Sequence, residues 1–527
     1  MSHAFEPLTP TAFLRRAALV HRDRPALVDG ERRLTYAELE RRALGLAGSL
    51  AARGRWPGER VAVLATNSAP LLEAHYAVPF AGAVMVPLNQ RLAVPELAYI
   101  LEHSGATLLV CDEQMAERGV EVAAALGGGL EVVVEGDGYE EMVAAGEGFE
   151  PEPPEETGLL SLNYTSGTTG RPKGVMYHHR GAYLQALAMA WHARLDPSSR
   201  FLWTLPMFHC HGWCFTWAVS AAGGTHVCLR ETDPAAIWAA IERERITHLN
   251  AAPTLLLSIA AAAPADRSSL VAHTQTSDER SIRVATGGAP PTPTLLAELA
   301  ELGIEVTHLY GLTETFGPVA ICEWKPEWDE LPGERRAALK ARQGVGNVIA
   351  EPLRVLDAED VEVPADGETV GEVAVRGNDV MLGYYEDPEA TAAALRGGCF
   401  HTGDLGVMHP DGYVELRDRA KDVIVSGGEN VSSVEVEAAL ASHPAVFEVA
   451  VVPAPHPRWG ERPVAYVVAK PGAEPDPAEL DAHVRARLAG FKAPAAYEFR
   501  QELPKTATGK VRKFVLRDEA KTLRLPA

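Results

Sequence analysis

The stretch that decides the fold spans residues 60–89 and reads RVAVLATNSAPLLEAHYAVPFAGAVMVPLN. An apolar run at residues 61–65 predicts a buried strand, a helical pattern follows it, and a second apolar run at 83–87 predicts another strand. Strand, helix and strand in this order indicate a parallel sheet with right-handed crossovers. Further strands of this kind are predicted at residues 108–111, 159–164, 247–251 and 282–286. The sequence therefore predicts an α/β fold.

Composition fits several folded units and excludes some functions. The chain has 527 residues, of which 46% are hydrophobic, and this excludes a disordered chain. Its net charge of -22 repels nucleic acid and anionic lipid, so we expect neither as a partner. The longest apolar stretch is too short to cross a bilayer, so we expect no membrane insertion. Six scattered cysteines are typical of reduced thiols, and we expect a cytoplasmic protein.

The residue composition and the pattern of predicted strands and turns change along the chain. Residues 127–158 are rich in Gly, Glu and Pro and predict an acidic surface connection. After residue 361, short strands with Gly-rich turns dominate, and the tail alternates strands and helices. This pattern predicts a domain boundary near residues 418–421 and a smaller C-terminal domain.

The most informative motif is Tyr164-Thr165-Ser166-Gly167-Thr168-Thr169-Gly170-Arg171-Pro172-Lys173-Gly174, which lies between two predicted strands. Its glycines let backbone N–H groups approach phosphate oxygens, its hydroxyls add donors, and Lys173 adds a positive charge. It differs from the G-x-x-x-x-G-K-[ST] loop because a glycine follows the lysine. A flexible surface turn is the alternative, but the length of the motif favours phosphate binding.

This motif resembles the phosphate loop of the adenylate-forming superfamily, which includes the acyl-CoA ligases, and further motifs follow in that family's order. They are Gly287-Gly288-Ala289-Pro290, Tyr310-Gly311-Leu312-Thr313-Glu314-Thr315, Thr402-Gly403-Asp404, Asp418-Arg419-Ala420-Lys421-Asp422 and Pro504-Lys505-Thr506-Ala507-Thr508-Gly509-Lys510. The resemblance implies a large N-terminal domain at residues 1–418, with parallel-sheet α/β subdomains and a β-barrel-like subdomain. It also implies a hinge at residues 419–421 and a small, mobile α+β domain at residues 422–527.

The resemblance assigns a role to each matching residue. ATP and AMP would be bound by Thr165, Ser166, Gly167, Thr168, Thr169, Lys173, Gly288, Ala289, Tyr310, Gly311, Thr313, Asp404, Arg419 and Lys510. Mg²⁺ would be held by Thr168 and Glu314. Lys421 would be the pivot of the hinge, and Gly427 and Gly428 would lie on the side of coenzyme A.

The chemistry of acid activation agrees with these assignments. A carboxylate does not react with a thiol because its oxygen is a poor leaving group, and transfer of AMP supplies a good one. The anionic carboxylate must attack an anionic phosphate, so Thr168, Glu314 with Mg²⁺, and Lys510 would act as catalytic groups that offset the repulsion. We expect an ATP-dependent ligase that joins an acid to coenzyme A. Loading of an acyl-carrier protein is the alternative.

The acid-binding side is predicted in the aromatic segment at residues 206–217. The resemblance places His209 beside the carboxylate as a catalytic residue, and Trp213 resembles the gating Trp of bacterial fatty acyl-CoA ligases. A plain core role for Trp213 is the alternative. Residues 324–345 resemble plant acyl-activating enzymes for butyrate- or benzoate-like acids and bacterial medium-chain synthetases. We therefore expect a short- or medium-chain fatty acid or an aryl acid as substrate and, from the family, a homodimer.

Overall fold

The computed structural model describes residues 5–54, 58–165, 172–264, 281–288, 291, 293–419, 422–426, 429–456, 458–506, 509–523 and 525. Its helices are Thr11–Val20, Tyr36–Ala52, Ala69–Phe80, Val94–Ser104, Ala116–Ala125, Asp137–Ala145, His179–His192, Phe215–Ala222, Pro234–Glu244, Pro253–Ala261, Pro293–Glu301, Gly333–Lys340, Pro388–Ala394, Ser433–Ala441, Pro477–Arg485 and Lys513–Ala520.

Its strands are β1 Pro25–Asp29, β2 Arg32–Thr35, β3 Arg60–Leu64, β4 Val84–Pro87, β5 Leu108–Cys111, β6 Glu131–Val134, β7 Leu159–Thr165, β8 Lys173–His178, β9 Arg200–Leu202, β10 Thr225–Val227, β11 His248–Asn250, β12 Ile282–Thr286, β13 Ile304–Leu312, β14 Gly317–Ile321, β15 Val345–Gly346, β16 Arg354–Leu356, β17 Val370–Val375, β18 Phe400–Met408, β19 Val414–Arg419, β20 Ile424–Ser426, β21 Glu429–Val431, β22 Val446–His456, β23 Gly460–Ala469 and β24 Ala496–Arg500.

Two sheets with parallel strands form the larger part of the molecule. One is six-stranded in the order β6-β5-β3-β4-β7-β8, and only its last pair is antiparallel. The other is nine-stranded in the order β15-β14-β13-β12-β11-β9-β10-β1-β2, and its strands are parallel from β13 to β1. The α/β fold predicted from the strand–helix–strand pattern is confirmed.

The main core lies between these two sheets. It contains residues from strands of both, such as Val61 on β3 and Phe201 on β9, together with the fully buried Tyr76 and Trp217 of intervening helices. The helix Ala69–Phe80 is buried along its whole length, as the mostly apolar sequence after β3 predicts. This packing fixes the relative position of the strand ends that carry the candidate site.

Two further sheets complete the fold. Strands β16 to β19 form a four-stranded antiparallel sheet, in the region expected to be barrel-like. Strands β20 to β24 form a five-stranded sheet that is the framework of a smaller C-terminal domain. Within the described ranges, no helix has both the length and the apolar surface needed to cross a membrane.

The prediction of a surface connection at residues 127–158 is wrong. Glu131–Val134 forms β6, the edge strand of the six-stranded sheet, and Asp137–Ala145 is a helix. Tyr139, Met142 and Val143 of that helix are buried against the helix Tyr36–Ala52, because they recur at helical spacing. The many Glu and Gly residues around them conceal this short apolar pattern.

Candidate active site

Some of the predicted nucleotide-binding residues lie at one edge of the nine-stranded sheet, where the parallel strands β11, β12 and β13 end. Gly288 follows β12 and has a φ of 90°. Tyr310 and Gly311 lie near the end of β13, and the turn Thr313–Thr315 follows it. Ligands of open α/β sheets bind outside the carboxyl ends of the strands. The topology therefore places these residues where a nucleotide site is expected.

The predicted ribose-binding residue, Asp404, is held by two other predicted residues. The Tyr310 hydroxyl donates a hydrogen bond to Asp404 Oδ2 at 2.7 Å, and Arg419 Nε lies 2.9 Å from Asp404 Oδ1. Asp404 on β18 faces Arg419 on β19 in the register of the four-stranded sheet, whereas Tyr310 belongs to the nine-stranded sheet. These contacts join the two sheets at a single buried carboxylate.

Glu314, the predicted Mg²⁺ residue, lies in a turn that is held from several sides. Its Oε1 accepts a hydrogen bond from the Tyr384 hydroxyl at 2.9 Å, and its carbonyl accepts one from Met381 N–H at 2.9 Å. The Tyr177 hydroxyl donates to the Thr313 carbonyl at 2.6 Å. Burial raises the pKa of Glu314 above its ordinary value of 4.5. A bound cation would therefore be favoured beside this carboxylate.

The two ends of the phosphate-loop motif lie side by side. Thr165 ends β7 and faces Lys173, the first residue of β8. Lys173 Nζ lies 3.3 Å from Asp387 Oδ2 and 4.7 Å from the centre of the Tyr384 ring. Because Tyr384 also bonds to Glu314, it connects the predicted phosphate-binding lysine with the predicted metal ligand. Tyr384 and Asp387 were not predicted, since their Gly-Tyr-Tyr-Glu-Asp context reads as an ordinary turn.

Several predicted residues lie outside the described part of the chain. They are Ser166, Gly167, Thr168 and Thr169 of the phosphate loop, Ala289 of the adenine-side loop, the pivot Lys421, and Gly427 and Gly428 on the side of coenzyme A. Their roles remain predictions.

His209 and Trp213 lie at the same edge of the sheet as the nucleotide residues. A β-carbon on Gly287 would lie 3.3 Å from the Trp213 indole, and one on Gly317 would lie 3.1 Å from it, so the indole fills the slot between two glycines. Trp213 is buried, with 8% of its surface exposed. Burial, and then the positive charge of Lys510, lower the pKa of His209 to about 4. His209 is therefore neutral at neutral pH.

The turn that carries these two residues is left-handed. Residues 210–214 have φ angles between 50° and 62°, and such a conformation costs roughly 1–2 kcal/mol for each residue other than glycine. The buried His211 holds the turn, because its Nε2 lies 2.6 Å from Ser161 Oγ and 3.2 Å from Asn163 Nδ2. Ser161 and Asn163 belong to β7, so His211 connects the acid side with the strand that leads into the phosphate loop. No sequence signal pointed to this role of His211.

The C-terminal lysine motif reaches the same region. A β-carbon on Gly509 would lie 2.8 Å from Thr254 Oγ1, at the start of the helix Pro253–Ala261. The adjacent Lys510 is close enough for its charge to lower the pKa of His209. Residues separated by about 250 positions along the chain are thus neighbours in the fold.

Two family comparisons cover most of the chain. Residues 14–385 match the family described as AMP-binding enzyme, and residues 435–510 match the AMP-binding enzyme C-terminal domain. The acetate–CoA ligase CCL3 of Humulus lupulus is 42% identical over 550 residues, which cover 98% of this chain and 96% of that protein. The 4-hydroxybutyrate–CoA ligase 2 of Metallosphaera sedula is 41% identical over 98% of this chain and 95% of that protein.

A solved structure in two states is also similar to this chain. ATP-bound MatB from Rhodopseudomonas palustris has a TM-score of 0.86 at 29% identity, over 98% of this chain and 99% of that one. Apo MatB from the same organism has a TM-score of 0.75 at the same identity and coverage. The arrangement described above is thus more similar to the ATP-bound form than to the apo form.

Proposed function

Because this chain belongs to the AMP-binding enzyme family and is an ATP-dependent acid–CoA ligase, we propose a division of labour among its site residues and a short carboxylic acid as its substrate. The observation that carries the proposal is that residues of three sheets meet near the end of β13. Asp404 contacts Tyr310 and Arg419 there, and Tyr384 contacts both Glu314 and Lys173. Such a cluster of charged side chains and hydroxyl groups suits a nucleoside triphosphate and not an apolar ligand.

In the first half-reaction, a carboxylate oxygen of the acid forms a bond to the α-phosphorus of ATP, and the bond to pyrophosphate breaks. We assign the ribose to Asp404, which Tyr310 and Arg419 hold in place. Lys173 faces the phosphates, and Lys510 offsets the charge that accumulates on the α-phosphate in the transition state. A preorganised group of this kind commonly contributes on the order of 10²–10³ in rate.

The residues present fit Mg²⁺, which prefers oxygen ligands and is usually held by one or two carboxylates together with substrate phosphates. Glu314 would supply a half-buried carboxylate of this kind, and Thr168 would supply a hydroxyl oxygen. When bound, Mg²⁺ would neutralise charge on the phosphate oxygens. Tyr384 orients the Glu314 carboxylate, because it donates to one of its two oxygens.

In the second half-reaction, the thiol sulfur of coenzyme A attacks the acyl carbon, the bond to AMP breaks, and the thiol proton passes to solvent. We propose that residues 419–421 are the hinge between residues 1–418 and 422–527 and that Lys421 is its pivot, so that Lys510 leaves and Gly427 and Gly428 approach. Asp418, directly before this hinge, accepts hydrogen bonds from Ser433 N–H at 2.5 Å and Ser433 Oγ at 3.1 Å. These bonds join Asp418 to the proposed mobile domain, so a rotation about Lys421 would have to break them.

The substrate is proposed to be short because Trp213 fills the space beside Gly287 and Gly317. A longer chain would have to displace the indole, whereas acetate- or butyrate-sized acids and small aryl acids would not. His209, neutral because of its lowered pKa, can hydrogen-bond the acid without adding charge. The relatives named for acetate and 4-hydroxybutyrate support the same size range.

A panel of acids from acetate to palmitate, with benzoates, tests this proposal when free coenzyme A is supplied and thioesters are detected by mass. We expect product with acids of acetate to butyrate size and with small benzoates but not with palmitate, and we expect extension toward longer acids in Trp213→Leu. The matched control is Trp238→Leu, because Trp238 is equally buried at 6% exposure but packs in a separate core. Palmitoyl thioester from the unaltered enzyme, or equal extension in both variants, would contradict the size argument.

We also propose that the enzyme works in the cytoplasm as a homodimer. The cytoplasmic assignment is supported by its six cysteines, all of which are free and buried.

The dimer is supported by Trp191 and Leu187, which lie one turn apart on the helix His179–His192 with 74% and 41% exposure. Sedimentation analysis of Trp191→Arg tests the dimer, which should dissociate. A monomer in the unaltered protein would contradict it.

A further inference from the structure

The turn that presents Lys510 is closed by its own hydrogen bonds. Thr506 N–H donates to the Lys510 carbonyl at 2.7 Å, and Thr506 Oγ1 accepts from Lys510 N–H at 3.1 Å. Gly509 N–H donates to the Thr506 carbonyl at 3.0 Å. These bonds link the position of Gly509 to that of the Lys510 backbone.

The tip of this turn rests against the start of the helix Pro253–Ala261. Gly509 has a φ of 82°, and a β-carbon on it would lie 2.8 Å from Thr254 Oγ1 and 3.4 Å from Ala252 Cβ. The first distance is shorter than real contacts of a β-carbon, so a side chain at position 509 would force Thr254 or the turn to move. The contact is tight and specific in shape.

The Thr254 hydroxyl is not needed by its own helix. The cap residue of that helix is Ala252, which offers no side-chain hydrogen bond, and Ser258 Oγ donates to the carbonyl of Thr254 and not to its hydroxyl. Outside its helix, the Thr254 side chain lies beside Gly509. The helix therefore does not use the Thr254 side chain as its N-terminal cap.

We propose that Thr254 is a positioning residue, the seat on which the Gly509 turn docks to place Lys510 for adenylation. The inference rests on the proposed role of Lys510 and adds the element that locates it. After burial, the positive charge of Lys510 contributes to the lowered pKa of His209, as expected for an ammonium group on the acid side. A misplacement of about 1 Å can cost on the order of 10²-fold in rate, so the seat needs an accurate shape.

The seat should matter for one half-reaction only. Adenylation needs Lys510 at the α-phosphate, whereas transfer to coenzyme A takes place after the turn has left. We therefore expect Thr254→Phe to lower acid-dependent ATP–pyrophosphate exchange by on the order of 10²-fold. Thioester formation from supplied acyl-adenylate and coenzyme A should stay within about threefold, and Thr254→Ser should keep most of the exchange activity.

Matched variants keep the test independent of folding. Ala261→Phe adds the same ring at the exposed far end of the same helix and should change neither half-reaction. Gly509→Ala approaches the contact from the other side, and we expect the same selective loss of exchange. Because the added β-carbon clashes with Thr254 Oγ1, the second substitution Thr254→Ala should restore part of the exchange in Gly509→Ala.

The outcomes distinguish the inference from the proposed function. If Lys510→Ala loses ATP–pyrophosphate exchange and Thr254→Phe does not, the proposed role of Thr254 is wrong and the role of Lys510 is retained. If Lys510→Ala keeps ATP–pyrophosphate exchange, the proposed role of Lys510 is wrong, and so is the role of Thr254 that depends on it. Equal loss of both half-reactions in Thr254→Phe, or no rescue of Gly509→Ala by Thr254→Ala, would also overturn the inference.

Discussion

The nucleotide side and the lysine side of this site are built in different ways. Asp404 is buried and has partners from two sheets, and Glu314 lies in a turn held by backbone and side-chain bonds. Lys510, in contrast, reaches the site on a turn whose tip touches the large domain at Thr254 and Ala252. The difference indicates that binding of ATP uses a fixed framework, whereas the catalytic charge is delivered and can be withdrawn.

The largest effect should come from the delivered group. We expect Lys510→Ala to lower acid-dependent ATP–pyrophosphate exchange by on the order of 10²–10³, because the α-phosphate loses its nearby cation. Thioester formation from supplied acyl-adenylate should persist, since that step does not use the docked turn. Lys521→Ala, on the exposed C-terminal side, is the control for loss of a lysine. Equal loss of both half-reactions would remove the distinction between the two sides.

Removal of a framework residue should affect both half-reactions. The AMP portion stays bound throughout, so Asp404→Ala should weaken ATP and acyl-adenylate alike. Loss of a charged hydrogen bond of about 1.5–3 kcal/mol corresponds to roughly 10- to 100-fold in KM. Asp411→Ala, a partly exposed acid in the turn between β18 and β19, should leave both KM values unchanged. A selective effect on one half-reaction would contradict a fixed framework.

A smaller effect is expected from Tyr384→Phe, which removes the hydrogen bond to Glu314 and keeps the ring beside Lys173. A net loss of about 0.5–1.5 kcal/mol should raise the Mg²⁺ concentration for half-maximal exchange by roughly 2- to 10-fold. Tyr385→Phe is the control, because the Tyr385 hydroxyl contacts Arg60 instead. An unchanged Mg²⁺ dependence in Tyr384→Phe would show that Tyr384 does not orient the carboxylate.

The smallest effect should appear in the pH profile. Burial raises the pKa of Glu314, so acidification protonates it at a higher pH than an ordinary glutamate and removes the charge that would hold Mg²⁺. The value of kcat/KM for ATP should therefore fall on the acid side, with a limb above pH 4.5. This limb should be absent from the residual activity of Glu314→Gln. An identical profile in both proteins would assign the limb to another group.

Sequence predicted the parts of this molecule that local pattern determines. Apolar runs gave the strands of the parallel sheets, and motif resemblance gave Tyr310, Asp404 and Arg419, which the fold brings together. The helix Asp137–Ala145 was missed because Gly and Glu residues hide its buried face. Tyr384 could not be found in this way, because its importance comes from contacts with residues distant in sequence.

His211 and Thr254 are two further residues whose roles could not be predicted from the local sequence. Each is an ordinary residue in its local context, and each gains its role from a partner more than 40 positions away. Periodicity and spacing describe neighbours along the chain, whereas these two contacts depend on how sheets and domains pack. Residues that position others are therefore harder to predict than residues that belong to a motif.

The central claim, that the Lys510 turn must dock for one step and leave for the other, can be measured with a reversible crosslink. A β-carbon at position 509 would lie 2.8 Å from Thr254 Oγ1, so the double variant Thr254→Cys and Gly509→Cys brings two thiols close together, and the six native cysteines are buried. Because a β-carbon at position 509 should itself lower adenylation, the oxidised enzyme is compared with the same double variant in reduced form. We expect oxidation to leave acyl-adenylate formation unchanged and to abolish thioester formation, and reduction to restore the thioester. Full thioester formation by the oxidised, crosslinked enzyme would contradict the claim.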